Sequence, residues 1–205
     1  MNNSRYIERF TAFERLVHWA QAIAFLLCAV SGLGMFSQTY HEALTGLFGG
    51  AAVSMWVHKI AGLVFGCCAI LHFLMEWKEN LTFDQEDAKW VGKMGGYLTR
   101  ENVQFNLGKY NTGQKLFGIV IFAGAVVMLV TGWIMWYPQD YSMAAKGLAY
   151  ALHALFFVVM TLFFFIHLYL STIGNPGCAD GMFYGTVLKK WAQHHSPRWV
   201  KEKIS

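Results

Sequence analysis

The chain has 205 residues and a formal net charge of +4, with 56% hydrophobic and 17% aromatic residues but only 14% charged ones. An ordinary soluble domain carries roughly 25% charged residues, so this composition argues against a soluble enzyme, and eight Trp with 17 Phe exclude low-complexity disorder. Four cysteines without CxxC or CxxCH spacing point to no disulfide framework, zinc site or c-type haem attachment.

A polar leader, residues 1–15, comes first. Its length, and the lack of a small-x-small cleavage pattern after the next stretch, mark that stretch as a retained helix and not a signal peptide. Residues 16–36 contain no Asp, Glu, Lys or Arg; residues 51–75 contain only Lys59; residues 116–137 and 147–173 contain none. About 20 apolar residues cross a bilayer, and the backbone there must satisfy its own hydrogen bonds. Helices are therefore expected over about 16–36, 51–77, 113–137 and 147–173. None has the polar face of a soluble helix. The expected fold is an all-α integral membrane protein, a four-transmembrane-helix bundle forming one membrane domain. A polar loop, 78–112, has room for a short helix. A basic, aromatic tail, 174–205, is expected at the membrane surface.

Fourteen of the sixteen Lys and Arg fall in the leader, the 78–115 segment and the tail; only Lys59 and Lys146 lie on the other side. By the positive-inside rule both termini and the long loop face the cytoplasm. The excess positive charge is thus topological and calls for no nucleic acid. Trp56, Trp77, Trp133, Trp136 and Tyr137 lie near span ends, where amphipathic rings settle.

Five of eight histidines lie in or at the ends of the spans: His18, His58, His72, His153 and His167. Ionisable residues in a membrane are costly and functional by default. The alternating direction of the spans sorts them into an outer pair, His58 and His153, and an inner group, His18, His72 and His167. Residues 153 and 167 are 14 apart, roughly 21 Å along a helix and within about 40° of one face; His58 and His72 repeat that spacing. Facing imidazoles from different helices make the axial ligation of b-type haem. Two such haems would carry electrons across a bilayer. Zinc is the rival metal, but structural zinc sites want four close ligands. A haem-free transporter usually adds membrane carboxylates, and Glu76 stands only at a span end. Glycines such as Gly32 and Gly132 allow close packing around a cofactor or between helices. The inner partner of His167, whether His18 or His72, is open on spacing alone. No Gly-rich phosphate loop, Ser-His-Asp arrangement or carboxylate pair in an apolar pocket is evident, so no catalytic residue is assigned.

The leader and first span read RYIERFTAFERLVHWAQAIAFLLCAVSGLGMF, the third span opens on GKYNTGQKLFG, and the tail reads KKWAQHHSPRW. With the histidines of spans 2 and 4, these segments resemble the gamma (cytochrome b556) subunits of membrane-bound respiratory formate dehydrogenases over nearly the whole chain. The tail departs slightly, with Ser196 between the His pair and Pro197. The resemblance implies two b haems in a four-helix bundle of the bacterial cytoplasmic (inner) membrane. It implies His58 and His153 as outer ligands and His18 and His167 as inner ones, with His72 outside the ligand set. It implies a menaquinone site bordered by Asn111, Gly113 and Gln114. Partners would be an iron–sulfur beta subunit and a molybdenum- or tungsten-containing alpha subunit. A b-haem anchor of a hydrogenase or thiosulfate reductase is the alternative within the same class. Physically, Asn111 or Thr112 can cap the third span, Gly113 allows close backbone approach, and Asn111 and Gln114 can hydrogen-bond a quinone carbonyl. His41, His194 and His195 are expected to make solvent or subunit contacts.

Overall fold

The computed structural model describes residues 5–96 and 103–204; Arg100, counted above among the cytoplasmic charges, lies outside them. The elements in chain order are β1 (Tyr6–Glu8), α1 (Ala12–Phe36), α2 (His41–Gly46), α3 (Ala51–Met75), α4 (Trp77–Leu81), α5 (Gln85–Gly92), α6 (Thr112–Trp136), α7 (Met143–Ser171), α8 (Asp180–Tyr184), β2 (Thr186–Leu188), α9 (Lys189–His195) and α10 (Pro197–Ile204). Among the described residues, α1, α3, α6 and α7 are long and apolar enough to cross a membrane. The chain is a helical membrane protein with four spanning segments.

The residues divide into two compact units. One comprises Leu16–His72 and Ile121–Phe165, the other Met1–Arg15, Phe73–Val120 and Ile166–Ser205. The first unit is apolar outside and selectively polar inside. Leu16, Ile23, Ile60, Val130, Leu148, Leu155, Leu162 and Phe165 are exposed, whereas Ser31, Ser54 and Thr131 are buried. Lipid solvates apolar side chains, so helix association there depends on close packing and interhelical hydrogen bonds. Small residues supply the close packing: a Cβ on Gly124 would collide with the Met160 side chain, and one on Gly66 with Leu129. Phe25 packs between Phe65 and Phe164, with centroids 5.7 and 5.2 Å away.

The second unit is a polar, ion-paired fold built on leader, loop and tail. The sequence reading expected only helices, but β1 pairs antiparallel with β2, Ile7 opposite Val187. Val187, Ala192, Trp199 and Val200 form a buried cluster with Ile7 and Trp191 packed on it. The tail is therefore a folded part of this unit. Leader and tail, at opposite ends of the chain, bury hydrophobic side chains that neither could bury alone.

Helix starts follow their local chemistry. Thr11 and Glu14 form a reciprocal capping box on α1: the Glu14 carboxylate accepts from Thr11 N–H at 2.6 Å, and the Thr11 hydroxyl accepts from Glu14 N–H at 3.2 Å. This starts α1 at Ala12, ahead of the uncharged stretch. Asp84 and Asp87 cap α5 in the same reciprocal way.

Candidate functional site

His58 on α3 and His153 on α7 face each other, ring centroids 6.2 Å apart and planes inclined by 56°. Two metal–nitrogen bonds of about 2.0 Å, plus about 1.1 Å from each nitrogen to its ring centre, put two axial imidazoles about 6 Å apart. The pair therefore stands at the spacing of two ligands on one metal.

The ring orientation is set by hydroxyls. His58 Nδ1 lies 3.0 Å from Ser31 Oγ, and His153 Nδ1 lies 2.8 Å from Thr131 Oγ1. Each hydroxyl donates its single proton to a carbonyl of its own helix: Ser31 to Leu27, Thr131 to Val127. Each can then only accept from the ring, so both histidines carry their proton on Nδ1. The Nε2 lone pair of each is left for a metal, and the hydroxyl is the outer-shell partner that fixes a metal-bound imidazole. The residue after each hydroxyl is glycine. A Cβ on Gly32 would stand 3.1 Å from His58 Cε1, and one on Gly132 would stand 3.6 Å from His153 Cε1. Ser31-Gly32 on α1 and Thr131-Gly132 on α6 thus hold the two rings in matching ways.

A third feature belongs to the same locality. Ser54, one turn before His58 on α3, is fully buried, and its hydroxyl has no partner among the described residues. A bound group with polar edges satisfies such an atom. Among the described residues, no three His, Cys, Asp or Glu side chains gather in a metal-binding group. Two axial imidazoles need no third protein ligand when a macrocycle supplies the rest. The donor set fits b haem.

His18 and His72 also come together, centroids 6.0 Å apart and nearly perpendicular. His72 Nδ1 bonds the Gln21 carboxamide oxygen at 3.3 Å, which gives His72 the same Nδ1–H form. His167 lies in the other unit, where it stacks on Phe117 at 4.6 Å with planes 7° apart.

The start of α6 lies in that same unit. The Asn111 side-chain oxygen accepts from Gln114 N–H at 2.9 Å, and the Gln114 side-chain oxygen accepts from Asn111 N–H at 3.0 Å. Both side chains are committed to the cap through their oxygens, which leaves their amide NH2 groups as donors. Asn111 is the cap, and Thr112 is not: its hydroxyl donates to Asp87 at 2.8 Å. Gly113 lies under the Trp90 ring, where a Cβ would meet Cη2 at 2.9 Å. Lys115 donates to both Asp87 oxygens at 2.9 and 2.8 Å and to the Thr82 carbonyl at 2.7 Å. This clamp fastens α5 to the first turn of α6.

Sequence reasoning missed four groups. Ser31 and Thr131 were not singled out among the span residues; the hydroxyl–glycine dipeptide shared by two spans was the available signal. Glu14 and Glu76 were not read as a pair, but the structure gathers both on one cation, Lys109 Nζ donating to each. His41 and His195 bond within the chain, to the Gly34 and Trp191 carbonyls, both at 2.9 Å.

The family model described as prokaryotic cytochrome b561 matches residues 9–185. The cytochrome b556(fdo) subunit of formate dehydrogenase from Escherichia coli K12 is 32% identical over 201 residues, covering 96% of this chain and 92% of that protein. The nitrate-inducible formate dehydrogenase cytochrome b556(Fdn) subunit of the same strain is 31% identical, covering 98% and 94%. A formate dehydrogenase cytochrome b556 subunit of Haemophilus influenzae is 27% identical, covering 99% and 85%. With the four spans and the oriented histidine pair, these matches place the chain in the prokaryotic cytochrome b561 family, among the cytochrome b556 subunits of formate dehydrogenases.

Proposed function

We propose that the chain is the di-haem cytochrome b subunit of a formate dehydrogenase complex in the bacterial inner membrane, with both termini cytoplasmic. It takes electrons from an iron–sulfur beta subunit on the outer side, served by a molybdenum- or tungsten-containing alpha subunit, and delivers them to menaquinone near the cytoplasmic face. The observation that carries this reading is the His58–His153 pair at 6.2 Å with each Nδ1 anchored on a hydroxyl.

His58 and His153 would hold the outer haem, and His18 and His167 the inner one. When bound, b haem supplies one-electron iron chemistry between neutral imidazoles. The residues of the chain do the rest. Ser31 and Thr131 fix the ring tautomers. Gly32 and Gly132 make room beside the rings. The apolar helices exclude water, which keeps electrons from reaching solvent. At the α6 start, the Asn111 and Gln114 amide groups would donate to a quinone carbonyl, and Gly113, covered by the Trp90 ring, would border the site.

Single substitutions followed by pyridine haemochrome quantitation test the ligand set. His153→Ala and His167→Ala should each lower the content from two b haems per chain to one, and His72→Ala should leave two. Full haem content in His153→Ala contradicts the outer assignment. One haem in His72→Ala, with two in His167→Ala, moves the inner ligand to His72.

A further inference from the structure

Glu76 follows α3 directly and is 7% exposed. The Glu14 carboxyl of α1, also largely buried, stands on the same cation, Lys109. Lys109 Nζ bridges the two, 3.2 Å from Glu14 and in direct contact with Glu76. Two largely buried carboxyls on one ammonium leave one negative charge uncompensated, and burial and like-charge repulsion both favour a proton on one of them. The triad is therefore two carboxyls on one ammonium, with a place for one proton. Lys109 lies two residues before Asn111, and its backbone is fixed because its carbonyl accepts from Arg9 at 2.6 Å and from Ser196 at 3.4 Å. A buried proton-holding group thus sits on the segment that leads into the proposed quinone site, within one compact unit.

We propose that the Glu76 carboxyl, paired with Glu14 and held by Lys109, is the proton-loading group for quinone reduction. This rests on the quinone-reducing reading above. A proton leaves Glu76 for a quinone oxygen as the quinone gains an electron from the complex. The carboxylate regains a proton from cytoplasmic water. Two such cycles with two electrons turn quinone into quinol, so electrons and protons balance.

The electrostatics support the assignment. Burial, then the neighbouring Glu14 carboxyl, pushes the Glu76 carboxyl up to about 7, against the lowering effect of Lys109. Glu14 and Lys109 touch it directly. Arg9, Tyr110 and Glu79 complete the nearby charge set: Arg9 and Tyr110 feel Glu76, and each also feels Glu79. A proton donor near neutral pH is the form a relay needs. It is loaded below its pKa and loses its proton as pH rises through it.

The test uses the intact detergent-purified complex, with formate as donor and menadione as acceptor. In Glu76→Gln, formate should still reduce the haems, while menadione reduction falls by about tenfold or more and loses the decline seen in wild type above about pH 7. Glu76→Asp should recover part of the rate with a displaced limb. Wild-type menadione rates and an unchanged pH profile in Glu76→Gln would make the triad a structural ion pair and overturn the proposal, leaving the functional reading intact. If Glu76→Gln loses haem, Glu76→Asp decides: a moved limb supports the proposal and an unmoved one overturns it. Failure of formate to reduce the haems of the wild-type complex, or of menadione to reoxidise them, would instead overturn the functional reading.

Discussion

At the scale of single residues, the histidines do their work through what holds their second nitrogen. Ser31 and Thr131 spend their only protons on helix carbonyls and so present oxygens to the rings. Removing such outer-shell partners costs about 10–100-fold in metal affinity. The double variant Ser31→Ala, Thr131→Val should therefore keep both haems at synthesis and shed the outer one during prolonged detergent washing. Pyridine haemochrome measured before and after washing checks this, and equal retention in variant and wild type would deny the hydroxyls that role. The histidines themselves were legible in the sequence because an ionisable group in a membrane span is costly and stands out against apolar neighbours. Their hydroxyl partners were not. Ser and Thr are common in spans, and they become orienting groups only when two helices pack in one register. Glu14, Glu76 and Lys109 were illegible as a group for the same reason: segments far apart in the chain meet only in the folded unit.

At the scale of elements, the α5–α6 clamp carries a separate consequence. The Lys115 and Asp87 side chains are 3% and 2% exposed. Breaking a buried ion pair by removing one partner costs about 3–5 kcal/mol, because the remaining charge stays buried and uncompensated. Lys115→Met should lower the thermal stability of the purified chain by that order. Lys89→Met, which breaks a solvent-exposed Glu86 pair, should change it by about 1 kcal/mol or less. Equal effects of the two would show that the clamp does not hold the unit together. Four apolar segments were evident from long stretches with at most one charge, since lipid forces helix wherever the chain crosses. The β1–β2 ribbon was not. Three-residue strands carry no periodicity, and this pair joins residues at opposite ends of the chain. The folded tail was missed likewise: its basic residues suggested a membrane surface, while Val187, Trp199 and Val200 bury themselves against the leader.

At the scale of the whole molecule, the two compact units carry two kinds of chemistry. One is apolar, and its buried polar groups serve paired imidazoles. The other is rich in buried charge and contains the capped α6 start, His167 and the carboxyl pair. Under the proposed function, the first unit would hold the outer haem and the second would carry the proton chemistry. The proposed function requires the histidines to hold two b haems. It is tested most directly by a dithionite-reduced-minus-oxidised spectrum of the purified chain with pyridine haemochrome quantitation. A b-type spectrum and two haems per chain are expected. A folded protein without haem would contradict it.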